Sequence, residues 1–339
     1  MTLVVKLTLL TFIFVILFSC QQDEKLIHLS GKTMGTTYNV KYIRNSTITI
    51  SDEDIQKFIN LKLEAINLGM STYIHESELS QFNRIKSKIW FKISKDFLKV
   101  LKFSYNLAED SNGLYDPTIG PLVNLWGFGP KGPRNTPSKS EVKLAKNLVG
   151  FHHIKFKDSS IYKSIDELKL DLSSTAKGFG VDKIAELLSK LTISNFMVEI
   201  GGELVTQGKK NGKNWMIGIE YPDIKNIGNS LISKIASKNY AIATSGNYRN
   251  FYKKDGIQYS HIINSKTGYP VKNSLLSVTV ISKIDCMNAD GYATALMVMG
   301  KDQAIKFANA KNLNAFFIYN ENGKLKTLKS KSLKKIKML

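Results

Sequence analysis

Residues 170–205 read LDLSSTAKGFGVDKIAELLSKLTISNFMVEIGGELV, and the fold class turns on how this stretch is parsed. From 174 to 191 it has the pattern of an amphipathic helix, with a first turn rich in Ser and Thr and with Gly178 and Gly180 inside it. Residues 196–205 are β-rich, and Gly201-Gly202-Glu203 has the composition of a tight turn between strands. On the N-terminal side, 26–45 alternates and is bounded by Gly31 and Gly35, so strand, turn, strand is expected. Ser51 is placed to cap a helix over 51–68 in which Ile55, Phe58, Ile59, Leu63 and Ile66 share a face. Further helices are expected over 95–109, 141–148, 287–298 (buried on one side) and 301–310. Strands are expected over 215–220, 240–245, 276–281 and 314–319. No regular βαβ rhythm runs through this order, which selects an α+β fold over a doubly wound parallel sheet.

The 339 residues are 43% hydrophobic and 22% charged, enough apolar material for a sizeable core in one domain or two. The formal charge is +20, but the lysines are scattered along the chain and arginine is confined to Arg44, Arg84, Arg134 and Arg249. Readers of base edges lean on the arginine fork, so the charge reads as a solvated face or as attraction to an anionic membrane, and no nucleic acid is expected. The one dense basic run is Lys326, Lys329, Lys331, Lys334, Lys335 and Lys337, taken as a C-terminal tail over 326–339. Two cysteines, Cys20 and Cys286, exclude a disulfide framework.

The first residues form an address. Lys6 precedes an apolar run over 7–18, too short for a bilayer-spanning helix, and the run ends in Ser19-Cys20 before Gln21-Gln22-Asp23-Glu24. This resembles the lipobox of bacterial lipoproteins. It implies a signal peptide over 1–19, lipidation of Cys20, a tether over 20–30, and a domain over 31–325 held at a membrane outside the cytoplasm, on the periplasmic side and at the inner membrane.

Five segments combine glycine, hydroxyl and acidic residues beyond what packing requires. Gly31-Lys32-Thr33-Met34-Gly35-Thr36-Thr37-Tyr38 reads equally as a plain hairpin turn. In Met70-Ser71-Thr72-Tyr73, Tyr73 offers a flat face to a ligand or to the core. The Gly- and Pro-rich stretch from Leu114-Tyr115-Asp116 to Gly129 is an ordered loop of the kind that carries binding residues. Asp171, Ser174 and Lys177 stand at a helix N-terminus, whose free N–H groups suit phosphate, although the Walker spacing is absent. Asp290 and Thr294, four apart, share a helical face and offer two oxygens to a hard cation; Ser260-His261-Ile262-Ile263-Asn264 lies upstream of them.

Together these segments resemble the ApbE family of FAD:protein FMN transferases. The match runs in unbroken order from Gly31 past Thr294, through Thr-Met-Gly-Thr, Ser-Glu-Leu-Ser-x-Phe-Asn, Gly-Pro-Leu-Val-Asn-Leu-Trp-Gly-Phe-Gly, Ile-Gly-Gly-Glu and Ser-His-Ile-Ile-Asn. The resemblance implies a compact T-fold-related unit of two interleaved α+β halves with mixed or antiparallel sheets and a cleft for FAD. It implies that Met34, Tyr73, Leu114, Tyr115, Asp116, Asp171, Lys177 and Ile263 contact FAD, and that Ser174, Asp290 and Thr294 hold Mg²⁺. Acceptors of the family are electron-transfer subunits of the Rnf and Nqr type. Some members carry Glu where this chain has Lys177 and Asp where it has Ala293. For the proton of the incoming hydroxyl, His261 is the candidate catalytic base. A Mg²⁺-dependent FAD pyrophosphatase and a flavin-binding lipoprotein without turnover are the competing readings.

Overall fold

The computed structural model describes residues 24–222, 230–247, 251–254 and 257–339. The expected signal peptide and Cys20 lie outside the described residues. The chain opens with a hairpin, β1 (Lys25–Thr33) and β2 (Thr36–Arg44), which turns at Met34-Gly35 with both residues at positive φ. Gly31 does not bound a strand, as expected from sequence, but sits inside β1 opposite Tyr38. A Cβ there would meet the Tyr38 ring at 2.6 Å, so this glycine makes room for an aromatic neighbour.

Helix α1 (Asp52–Met70) follows, with Ser51 accepting from the Asp54 N–H at 3.1 Å and three acids in its first turn. Its core face carries Ile55, Ile59, Leu63, Ile66 and Met70, whereas Phe58, expected to join them, is turned outward. Residues 71–172 form an insertion with α2 (Glu78–Arg84), β3 (Phe91–Lys92), α3 (Lys95–Asp110), α4 (Gly120–Leu125), α5 (Lys139–Lys146), β4 (Ile154–Lys157) and β5 (Ser160–Lys163). Helix α5 starts before the expected 141 because Ser138 and Glu141 close a reciprocal capping box. Helix α6 (Ser173–Lys190) then leads into β6 (Phe196–Ile200) and β7 (Glu203–Gln207). The β-rich stretch 196–205 is thus two strands, folded at the expected turn of Gly201 and Gly202, which both have positive φ.

The second half holds β8 (Trp215–Glu220), β9 (Leu231–Ser237), β10 (Ala241–Gly246), β11 (Phe251–Lys254), β12 (Ile257–Ser260), β13 (Leu275–Ser282), α7 (Cys286–Met299), α8 (Lys301–Ala310), β14 (Asn314–Glu321) and β15 (Lys324–Lys329). Eight strands form one sheet in the order β1-β2-β6-β7-β10-β13-β14-β15, antiparallel throughout. The fold is α+β, and its two halves join edge to edge at β7 and β10.

Both faces of the sheet are buried, and β14 shows how the alternation achieves this. Ala315 and Phe317 pack under α7, while Phe316 and Ile318 pack on the other face with Trp215, Ile235 and Leu333. The expected basic tail is therefore not a tail. Lys326 and Lys329 belong to an edge strand, where exposed lysines discourage further strand pairing, and Leu333 is fully buried. Similarly, the domain start expected at 31 falls inside β1. Helix α7 is enclosed nearly all round rather than on one side, because the sheet, α3, α6 and α8 all pack on it.

The tightest junction is between α6 and α7. Asp182 on α6 accepts the N–H groups of Cys286 (2.7 Å) and Met287 (2.9 Å), capping α7 from outside. In return, Asp290 on α7 accepts the Gly178 N–H at 3.0 Å. Gly178 permits this approach, since a Cβ would stand 2.5 Å from the Cys286 carbonyl oxygen and 2.9 Å from Asp290 Cβ. Neither atom lies at the free end of a side chain, so the helices themselves would have to move. Gly178→Ala is expected to destabilise the protein by about 1–3 kcal/mol despite its better helix propensity, as measured by denaturant unfolding.

Candidate active site at the helix crossing

The α6–α7 crossing gathers charge where the chain is otherwise apolar. Lys177, one residue before Gly178, reaches between Asp290 of α7 and Glu203 at the start of β7. Its Nζ lies 3.9 Å from Asp290 Oδ1 and 3.6 Å from Glu203 Oε2. Asp290 is 2% exposed and Glu203 4% exposed. Burial alone would lower the lysine, but Asp290 and then Glu203 hold it above its ordinary range, so the ammonium stays charged. Burial pushes Glu203 up to about 8, against the pull of Lys177, and raises Asp290 with the same opposition. Glu203 Oε2 is the one buried side-chain polar atom among the described residues with no hydrogen-bond partner.

Hydroxyls surround these charges. Ser174 donates to the Tyr115 hydroxyl at 3.0 Å, and Tyr115 donates in turn to Ser104 at 3.2 Å. Burial pushes the Tyr115 phenol up to about 12, with Asp290 adding to the effect, so it is a neutral donor. The Thr294 hydroxyl pairs with Ser245 of β10 at 3.0 Å. Met34, held at φ +50°, is near enough to α6 that a Cβ on Gly180 would come within 3.0 Å of its Cε. Gly201 stands close to Thr36 and Lys177 for the same reason, with 2.9 Å and 3.4 Å to its hypothetical Cβ. The structure thus brings Met34, Tyr115, Ser174, Lys177, Asp290 and Thr294 around one crossing.

A second group forms an aromatic wall. The exposed Tyr73 donates to the Phe128 carbonyl at 3.1 Å. Phe128 meets His261 edge-on at 6.4 Å and Tyr252 at 5.4 Å; Tyr252 stacks on Tyr259, and Tyr259 on Trp126. Asp171 links wall and crossing, accepting from the Ser173 N–H and hydroxyl at the first turn of α6. Grooves of about 640 Å³ beside Thr33 and Ile74, and about 340 Å³ beside Gly113 and Asp116, lie apart from both clusters, with none of Lys177, Asp290, Tyr73 and Phe128 in their lining.

Other expected residues have structural work for their side chains. Asp116 accepts from the Thr118 N–H and hydroxyl and from the Phe151 N–H, so its carboxylate is largely engaged in holding the loop. Leu114 lends its carbonyl to Ser265, and Ile263 is buried against Trp126 and Leu122. Ala293, on α7 itself, is fully buried in the core. Glu203, Ser245, Tyr252 and Tyr259 escaped the sequence reading as site residues. For Glu203 a signal existed, a carboxylate directly after a Gly-Gly turn and followed by the apolar Leu204-Val205.

The model of the ApbE family matches residues 34–317, which takes in both clusters. A protein of Vibrio cholerae named FAD:protein FMN transferase is 43% identical over 321 residues, 94% of this chain and 95% of its own. A Haemophilus influenzae protein of the same name is 40% identical, with 94% of each chain covered. The solved flavin transferase of Vibrio cholerae superposes with a TM-score of 0.85 at 42% identity, covering 92% of this chain and 99% of that one.

Lys177→Met would leave Asp290 and Glu203 buried without their counter-charge. The variant is expected to lose about 3–5 kcal/mol of stability at pH 8. The sign follows from linkage. A carboxyl whose folded value lies above its unfolded one binds protons better when folded, so stability falls as pH rises between the two values. Removing Lys177 raises the folded values further, so the deficit against the parent should widen as pH rises towards 8 and past it. Urea unfolding at several pH values measures this; a pH-independent deficit would contradict it.

Proposed function

The chain belongs to the ApbE family, and from that membership we propose that it moves the FMN half of FAD onto a Thr or Ser hydroxyl of an acceptor protein, releasing AMP. The observation that carries the reading is the half-buried Lys177, its ammonium beside the buried Asp290, at the first turns of a helix whose N-terminal N–H groups favour phosphate. Phosphoryl-type transfer asks an enzyme chiefly for positioning and charge neutralisation, and this cluster supplies both.

Mg²⁺ is the cation we assign to Asp290, Thr294 and Ser174. These residues fit it chemically, because all three present oxygen, the hard donor this ion prefers. Among the described residues no three His, Cys, Asp or Glu side chains could hold a metal by themselves. A partly hydrated ion that also takes phosphate oxygens of the substrate suits so sparse a donor set. Bound there, Mg²⁺ would neutralise the pyrophosphate and stabilise the departing AMP.

The chain's own residues do the rest. Tyr73 and Phe128 offer the wall against which a flavin ring can lie. Lys177, kept charged by its neighbours, balances phosphate charge. The acceptor oxygen bonds to the FMN-side phosphorus, the bond from that phosphorus to the AMP phosphate oxygen breaks, and His261 takes the hydroxyl proton. On this reading the domain works outside the cytoplasm, tethered through lipidated Cys20 at the inner membrane. Electron-transfer subunits of the Rnf and Nqr type are its expected acceptors.

Incubating the protein with FAD, Mg²⁺ and a candidate acceptor tests the proposal. The expected result is an FMN-sized mass gain on the acceptor with equimolar AMP. Free FMN plus AMP would mean a pyrophosphatase, and no AMP a flavin binder. His261→Ala should cut transfer by about 10²-fold or more and leave FAD binding intact. Undiminished transfer would remove His261 from the mechanism.

A further inference from the structure

We propose that Glu203 is a second carboxylate ligand of the divalent cation, and that Lys177 is the stand-in charge that holds the two carboxylates until the ion arrives. This deepens the reading above and rests on it.

Three observations carry the inference. The first is the unpartnered Oε2 of Glu203, in a side chain 4% exposed. A buried carboxylate oxygen without a hydrogen-bond donor is costly, and a bound ion is one of the partners that relieves the cost. The second is distance. Charge-assisted N–H···O contacts close to about 2.7–2.9 Å, yet Lys177 Nζ stands 3.6 Å from Glu203 and 3.9 Å from Asp290. The ammonium lies between the two carboxylates without closing on either. A smaller, doubly charged ion bonds carboxylate oxygens at about 2.0–2.6 Å and would satisfy both. The third is the count of groups, two buried carboxyls sharing one ammonium, so the pair has fewer cationic partners than a divalent ion would supply.

The scaffold makes the arrangement durable. Glu203 follows the Gly201-Gly202 turn and pairs with Ile200 across the hairpin, so its backbone is fixed by the sheet. Asp290 is fixed by the Gly178 N–H. Lys177 is the least anchored of the three, with one long contact of 3.5 Å to the Ser173 carbonyl. An ion entering between the carboxylates would release it towards the substrate's phosphates. The cluster thus trades an internal cation for an external one, and the lysine gains its substrate role in the exchange.

The test is Mn²⁺ binding by the full chain without FAD, followed by the electron paramagnetic resonance signal of free Mn²⁺. Glu203→Gln should weaken binding at least tenfold, Asp290→Asn should abolish it, and Lys177→Met should tighten it by removing the competitor. Loss of binding in Asp290→Asn with Glu203→Gln within twofold of the parent would make Glu203 a mere ion-pair partner; the proposal would fall and the transferase reading would stand. A parent chain that binds no Mn²⁺ at millimolar concentration would take the assigned cation down together with Glu203. A thermal melt by circular dichroism checks folding. Should Glu203→Gln not fold, Glu203→Asp keeps the charge but retracts it by one methylene, and it must weaken Mn²⁺ binding too or the proposal fails.

Discussion

The reciprocal grip between α6 and α7 is the constraint on which the rest of the molecule depends. Asp182 caps α7 from α6, and Asp290 of α7 takes an N–H from α6 at Gly178. Burial pushes Asp182 up to about 7 even while two backbone donors pull the other way, a sign of how enclosed this junction is. One helix follows the insertion and leads into the β6–β7 hairpin, and the other connects β13 to α8 and β14. Their junction therefore ties together the two halves of the sheet, and it sets the relative position of every charged group at the site.

Much of the site's chemistry follows from packing of this kind. A glycine is needed at 178 because two helices must nearly touch, and the adjacent Lys177 is thereby carried to the rim of the contact. There it meets two buried carboxyl groups and supplies their counter-charge. Aromatic residues from the insertion and from the β11–β12 hairpin form a separate surface, joined to the crossing through Asp171. The molecule therefore offers an aromatic wall and a charged cluster, connected by the start of one helix. Such a pairing matches a ligand with a ring at one end and phosphates further along, which is how a flavin dinucleotide is built.

The sequence was most legible where local chemistry decides structure. Ser51 caps its helix through its side-chain oxygen as read, and 301–310 matches its helix residue for residue. Legibility failed where the cause was a distant neighbour. Gly31 looked like punctuation, but it serves the ring of Tyr38 across the hairpin. The C-terminal lysines looked like a tail because alternation is weak there; Leu333 and Ser330, buried through contacts with β14, hold that segment in place. Helix α7 carries so little polar residue on any face that its position, enclosed on all sides, could not be told from one-sided burial. Among site residues, motif order singled out Lys177 and Asp290. Glu203 needed the fold, since only the hairpin and the crossing together bring it to the lysine.

The account comes down to one place, the crossing of α6 and α7, as the point where a dinucleotide's phosphates meet the protein. Crystals grown with FAD and Mn²⁺ test it directly through the anomalous signal of the ion. The account predicts a single strong peak in contact with Asp290 and with the pyrophosphate, and a flavin ring against Tyr73. A peak elsewhere, or an FAD whose phosphates lie away from Lys177, would contradict it.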